Sequence, residues 1–136
     1  MAVQITDGTK HGMLDAISTV WGATPKLRLY SGTPPADETA ALSGNTLLAE
    51  VTPAPASASG GSKDMLGGTK TTTGAAGAGA GTNAAFYRLY NSAGSTCYEQ
   101  GTVTVTGGGG DMTMDNINIA NGQTVNVNTW TKTIPG

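Results

Sequence analysis

The sequence predicts a single, mainly β domain of the jelly-roll-like or β-sandwich kind, with one short helix near its N-terminus. Three observations predict it. Runs such as Thr102-Val103-Thr104-Val105-Thr106 and Thr124-Val125-Asn126-Val127 alternate between polar and apolar residues. That period of two leaves one strand face for a core and the other for water. Turn signals separate these runs at intervals of roughly 8–12 residues, the spacing of sandwiches and barrels. Finally, charged residues make up only 12% of the chain, against about 25% in typical domains. Disordered chains combine high charge with few β-branched residues, and here threonine, valine and isoleucine are plentiful. A length of 136 residues suits one domain, read as 1–136.

The elements follow in order. Residues 1–9 form an N-terminal arm in which Val3-Gln4-Ile5 is extended and Asp7-Gly8 closes it. A helix is expected over 10–21, capped by Thr9, with Met13, Leu14, Ile17 and Val20 or Trp21 on one face. Gly22 is a natural stop and Pro25 prevents continuation. From 26 to 132 the pattern is that of a β sandwich. Leu27-Arg28-Leu29-Tyr30 alternates and ends at Ser31-Gly32-Thr33-Pro34-Pro35; Leu47 to Val51 is the next strand. A short element is expected over 63–66 and a strand over 69–73. Phe86 to Tyr90, Thr96 to Gln100, Thr102 to Thr106, Met112 to Met114, Ile117 to Ile119 and Thr124 to Trp130 complete the set. Flexible loops are expected at 31–45, 53–62 and 74–81, the last because Gly74-Ala75-Ala76-Gly77-Ala78-Gly79-Ala80-Gly81 has little side chain to pack. Leu27-Arg28-Leu29-Tyr30 is echoed by Tyr87-Arg88-Leu89-Tyr90, with Arg and Tyr sharing one face and the central leucine pointing the other way.

Composition narrows the chemistry. Seven basic residues lie scattered from Lys10 to Lys132 in a chain of net charge −2, too few for a phosphate-binding face, so no nucleic-acid partner is expected. No stretch approaches the ~18–20 apolar residues of a membrane helix, and the first residues lack a signal-peptide pattern. Cys97 is the only cysteine; it is read as a small apolar strand residue in a protein made in a reducing cytosol. One histidine, His11, supports neither a catalytic triad nor a nitrogen- or sulfur-based metal site. Asp111, Thr113 and Asp115 share the spacing of calcium ligands but lack the glycine and closing glutamate of an EF-hand, so they are read as turn residues. Gly107-Gly108-Gly109-Gly110 is followed by Asp111 rather than by Lys-Ser/Thr, so it is no P-loop. The enzyme alternative, a hydrolase using two of Glu99, Asp111 and Asp115, ranks last. No catalytic residue, metal or cofactor is expected.

The order of residues carries a resemblance. Trp21-Gly22-Ala23-Thr24-Pro25, Leu27-Arg28-Leu29-Tyr30-Ser31-Gly32, Pro34-Pro35-Ala36, Tyr87-Arg88-Leu89-Tyr90, Gly101-Thr102-Val103-Thr104-Val105 and Asp111-Met112-Thr113-Met114-Asp115-Asn116 stand along almost the whole chain. In these the chain resembles small virion proteins of tailed bacteriophages, and is similar to capsid cement or decoration proteins of the Bordetella podophage type. The resemblance implies a jelly-roll-like domain on the outside of an icosahedral head, bridging major capsid protein subunits as a homo-dimer or homo-trimer. It implies synthesis in the bacterial cytoplasm and location on the capsid exterior. The contact residues expected on that reading are Val3, Ile5, Trp21, Pro34, Pro35, Gly77, Gly79 and Trp130, although the residues alone place the two tryptophans first in the core and only second at an interface or a glycan. A tail, collar or head-fibre module, binding glycans, is the alternative.

Overall fold

A computed structural model describes residues 3–134, and its helix begins earlier than the sequence spacing predicts. α1 spans Asp7–Trp21 and is capped by Thr6, whose side chain accepts from the Thr9 amide at 3.3 Å. The Thr6 carbonyl accepts from the Lys10 amide at 3.1 Å. The expected start at residue 10, the Thr9 cap and the Asp7-Gly8 turn are therefore corrected. An extended threonine followed by an acidic first turn satisfies orphan amides and the helix dipole together. The inward stripe is Leu14, Ile17 and Trp21. Of the alternatives Val20 and Trp21 it is Trp21 that turns inward; Met13, expected on the stripe, and Val20 face outward at 46% and 62% exposure. Trp21 has more apolar area to bury than Val20, and its preference sets the helix rotation. Gly22, at φ 82°, ends the helix in the left-handed region.

Among the described residues eleven strands follow: β1 (Lys26–Tyr30), β2 (Leu47–Val51), β3 (Ser62–Asp64), β4 (Lys70–Thr73), β5 (Thr82–Asn83), β6 (Phe86–Tyr90), β7 (Cys97–Val105), β8 (Met112–Met114), β9 (Asn118–Ile119), β10 (Thr124–Val127) and β11 (Thr131–Thr133). The chain is mainly β, as its alternation predicts. A five-stranded sheet runs β2-β1-β6-β7-β8, and β10-β4, β11-β3 and β5-β9 form three two-stranded pairs. Leu27, Leu29, Tyr87, Leu89, Val103, Met112 and Met114 from the main sheet share one core with Met65, Ile119, Val125 and Val127. Both edges of the main sheet are met by backbone. The Ala75 amide donates to the Leu48 carbonyl at 2.8 Å, and Thr113 bridges Thr129. Engaged edges of this kind do not template further strands.

Five features depart from expectation. β7 is one strand of nine residues, not two separated at Gly101. That glycine lies under the Tyr87 ring, where an added Cβ would sit 2.6 Å from the ring and its hydroxyl; it makes room rather than a turn. β6 is buried on both faces, so its alternation does not leave a wet side. β8 pairs parallel with β7, Val103 opposite Met112, although only Thr106 to Asp111 connect them. Parallel neighbours ordinarily need a crossover of about a dozen residues or more. Here Gly108 and Gly110 lie so close to the Thr104 side chain that a Cβ on either would come within 2.8 Å of its hydroxyl oxygen. The Gly110 amide donates to Thr104 Oγ1 at 2.9 Å, and the Asp111 amide to Thr102 Oγ1 at 3.1 Å. The glycine run folds back along β7 before β8 starts.

The 74–81 segment is the fourth departure. Gly74 donates to the Gln123 carbonyl at 2.7 Å and accepts from the Gly122 amide at 3.0 Å. A 3-10 turn at Ala76–Ala78 buries Ala78 in the core. Small residues let backbone approach backbone: a Cβ on Gly74 would meet the Ala120 carbonyl at 2.0 Å. The expected flexible loop is a packed, hydrogen-bonded part of the fold. The 53–62 segment is also tied, by Ala54 N to Leu66 O at 2.9 Å and Ala56 N to Asp64 O at 3.0 Å.

Candidate functional site

The outer face of the main sheet holds the densest polar network. Antiparallel register places Glu50 opposite Arg28, Arg28 opposite Arg88, and Arg88 opposite Gln100. The echoed Arg-Leu-Tyr segments are thus adjacent strands with their arginines facing each other. Like charges directly opposite destabilise a sheet, and each guanidinium is drawn aside. Arg28 pairs with Glu50 at 2.7 Å and lies 5.0 Å above the Tyr90 ring. Arg88 donates from Nε to Gln100 Oε1 at 2.8 Å, and from Nη2 to the carbonyls of Asp37 at 3.0 Å and Ala40 at 2.7 Å.

Those carbonyls belong to the 31–45 loop, which covers this face. Asp37 organises it: Oδ1 accepts from the Thr39 amide at 2.9 Å, the Thr39 hydroxyl at 2.6 Å and the Ala40 amide at 2.9 Å. The Thr39 bonds hold the Asp37 carboxyl below the usual carboxylate range. Gln100 Nε2 donates to the Pro35 carbonyl at 2.8 Å, and Asn45 Nδ2 to those of Ser31 and Thr33 at 3.0 and 2.9 Å. Beneath the loop Tyr30, Phe86 and Tyr90 form a second apolar cluster, with Tyr30 stacked on Phe86 at 5.4 Å. Burial, followed by the Tyr90 hydroxyl, pushes the Tyr30 hydroxyl up to about 12.

Between the loop and the β6–β7 turn lies an open cavity of about 440 Å³, lined by Glu38, Leu42, Arg88, Tyr90, Thr96 and Cys97 among others. Arg88 is only 3% exposed. Among the described residues its Nη1 has no hydrogen-bond partner, and no carboxylate lies within ion-pair distance of it. The Cys97 thiol donates to the Glu99 carbonyl at 3.3 Å, and burial raises its pKa.

The expected contact residues are spread over the N-terminal arm, the 31–45 loop, the 3-10 turn and the core. Val3 is 79% exposed at the N-terminal end and Ile5 is half-buried. Pro34 is exposed and Pro35 half-buried in the covering loop; Gly77 and Gly79 are exposed at the 3-10 turn beside β2. Trp21 and Trp130 are corrected: both are buried and stack on each other at 5.4 Å. Trp130 also meets Tyr87 edge-on at 5.0 Å, and the Tyr87 hydroxyl donates to Glu99 at 2.7 Å, which pairs with Lys132 at 2.7 Å. Large rings of low polarity gain more by closing the core than by facing water.

The remaining acidic candidates act as turn residues. Asp111 Oδ2 accepts from the Thr102 amide and hydroxyl at 2.9 and 3.0 Å. Asp115 accepts from Thr106 Oγ1 at 3.1 Å and Asn128 Nδ2 at 2.7 Å. Among the described residues no three His, Cys, Asp or Glu side chains gather as metal ligands, and no helix is long and apolar enough to cross a membrane. Sequence reasoning missed the cavity and its Arg88, although the repeated Arg-Leu-Tyr spacing marked the strands that build it. Among known proteins, no family model, no curated protein and no solved structure matches the chain.

Proposed function

We propose that this chain is a structural virion protein that binds the outside of an icosahedral phage head and bridges neighbouring major capsid subunits as a small homo-oligomer. The reading rests on the sequence resemblance. The observation on the fold that best supports it is the set of apolar side chains turned outward on α1 and β7: Val20 and Met13 on the helix, Tyr98 and Val105 on the strand. Exposed single apolar residues are ordinary; here they stand on two elements, α1 and β7. A bridging protein needs contact surfaces on more than one side. Binding that favours the assembled shell over free subunits stabilises it by mass action, and a multivalent oligomer multiplies weak contacts.

The test is co-sedimentation of the purified chain with expanded capsids lacking it. Saturable binding near one copy per capsid subunit, with a higher capsid melting temperature, is the expected result. Absence of binding, or only a few copies per particle, would refute the cement reading; a few copies is the number a tail or collar part would show.

A further inference from the structure

We propose that the cavity under the 38–42 segment is a socket for an acidic side chain of a protein partner, with Arg88 receiving its carboxylate. The inference rests on the capsid-binding reading for its partner class and on the cavity for its chemistry.

A buried guanidinium is ordinarily paired with a carboxylate, because a lone charge is costly to remove from water. Arg88 is 3% exposed, yet the acceptors it meets are neutral: one amide oxygen and two loop carbonyls. These bonds fix the plane of the guanidinium and occupy Nε and Nη2. They do not cancel its charge, and Nη1 keeps its donors for a further acceptor. A carboxylate is the acceptor whose charge and geometry fit a fixed guanidinium.

The cavity is larger than a carboxylate needs. At about 440 Å³ it falls within the ~300–1,000 Å³ of ligand pockets. Leu42 and Tyr90 offer an apolar wall to side-chain methylenes, and the hydroxyl of Thr96 is available to a backbone group. Glu38 also lines the cavity and is itself without a hydrogen-bond or ion-pair partner among the described residues. It is a resident rival for Arg88, so an incoming carboxylate competes with it. The open side lets the guest remain attached to a larger chain, which favours an acidic residue on a protein segment.

Cys97 lines the same cavity and supplies a native reporter. The full chain is treated with iodoacetamide in the presence of N-acetyl-glutamate amide or the matched N-acetyl-glutamine amide. The charged probe is expected to slow Cys97 alkylation at concentrations at least tenfold below those of the neutral one. Glu38→Gln should strengthen that protection several-fold, and Arg88→Gln should abolish the difference between probes. Because Arg88→Gln also loosens the covering loop, Thr96→Trp serves as the second variant. It fills the cavity from the rim, leaves the Arg88 bonds to the loop intact, and should likewise erase the difference. Equal protection by both probes, or none at 100-fold excess over the chain at millimolar concentration, would overturn the socket. Capsid binding that persists in Arg88→Gln and Thr96→Trp would overturn its role in docking while leaving the cement reading in place. Charged-probe protection in a chain that does not bind capsids would overturn the cement reading alone.

Discussion

Replacing Gly101 by alanine tests why β7 is continuous. Gly101 pairs with Tyr87 across the sheet, and a Cβ there would lie 2.6 Å from Tyr87 Cε1 and from its hydroxyl oxygen. Ordinary contact is roughly 3.5–4.0 Å, so the ring must move by about 1 Å. It has little room: Trp130 meets it edge-on at 5.0 Å, and its hydroxyl is bonded to Glu99 at 2.7 Å. Overpacking of this kind costs about 1–3 kcal/mol, and weakening a hydrogen bond to a charged acceptor about 1.5–3 kcal/mol if it is lost outright. Lower entropy of the unfolded chain returns about 0.4–1 kcal/mol. The net expectation is a destabilisation of about 2–4 kcal/mol, or on the order of 10 °C in Tm for a domain of this size. Gly101 does not have positive φ, so backbone strain adds nothing. The assay is thermal unfolding of Gly101→Ala alone and with Tyr87→Ala, as a double-mutant cycle. Alanine at 101 should be harmless or stabilising once the Tyr87 ring is gone. A Gly101→Ala protein within 1 °C of wild type (a threshold far below the roughly 10 °C expected), or an equal loss in both backgrounds, would refute the steric argument.

Three further outcomes follow from the same geometry. Trp130→Ala removes the ring that stacks on Trp21 and abuts Tyr87, and should lose about 3–5 kcal/mol in chemical denaturation. Gly110→Ala places a Cβ 2.8 Å from Thr104 Oγ1; a loss of about 1–3 kcal/mol is expected, with faster amide exchange at Met112–Met114 because the parallel return is disturbed. Stability should fall at both ends of the pH range. The hydrogen bond from Lys63 lowers the Asp15 carboxyl and those from Thr39 lower Asp37. Their contribution is present above the unfolded value of 3.8 and is lost as pH falls through the lower folded values. Tyr30 is raised from 10.0 to about 12, chiefly by burial, so its contribution is complete below pH 10 and lost between pH 10 and about 12. Thermal melts from pH 2 to 12 check this: Tm should hold between pH 5 and 9, drop below pH 4, and drop again above pH 10.

Much of the fold was legible in the sequence. The Leu-x-Leu, Val-x-Val and Met-x-Met alternations mark β1, β7, β8 and β10 because a half-buried strand needs an apolar residue at every second position. Pro25 and Gly22 mark the end of the helix for reasons internal to the backbone. The helix start was misplaced because Thr6 and Thr9 are equally good caps locally; the choice follows from where the first carbonyl-to-amide bond closes. The cavity was not legible. Its parts come from two distant segments, 38–42 and the hairpin from Arg88 to Cys97, and nothing local in either signals the other.

What the sequence by itself determined is the material of this protein: alternating β strands, one short helix, low charge, and turns at most of the glycine-, proline- and asparagine-rich breaks. These are properties of neighbouring residues along the chain. What only the tertiary structure decided is which surfaces meet. It turned Trp21 rather than Val20 inward, buried β6 on both faces under the 31–45 loop, packed the Gly/Ala run against β2, and set the two echoed arginines side by side. The physical reason is that burial, packing and the pairing of charges are settled between segments far apart in sequence. A lone arginine in an alternating strand reads as a solvated side chain until a loop some fifty positions away (the Arg88 to Asp37 bond spans 51 residues) closes over it.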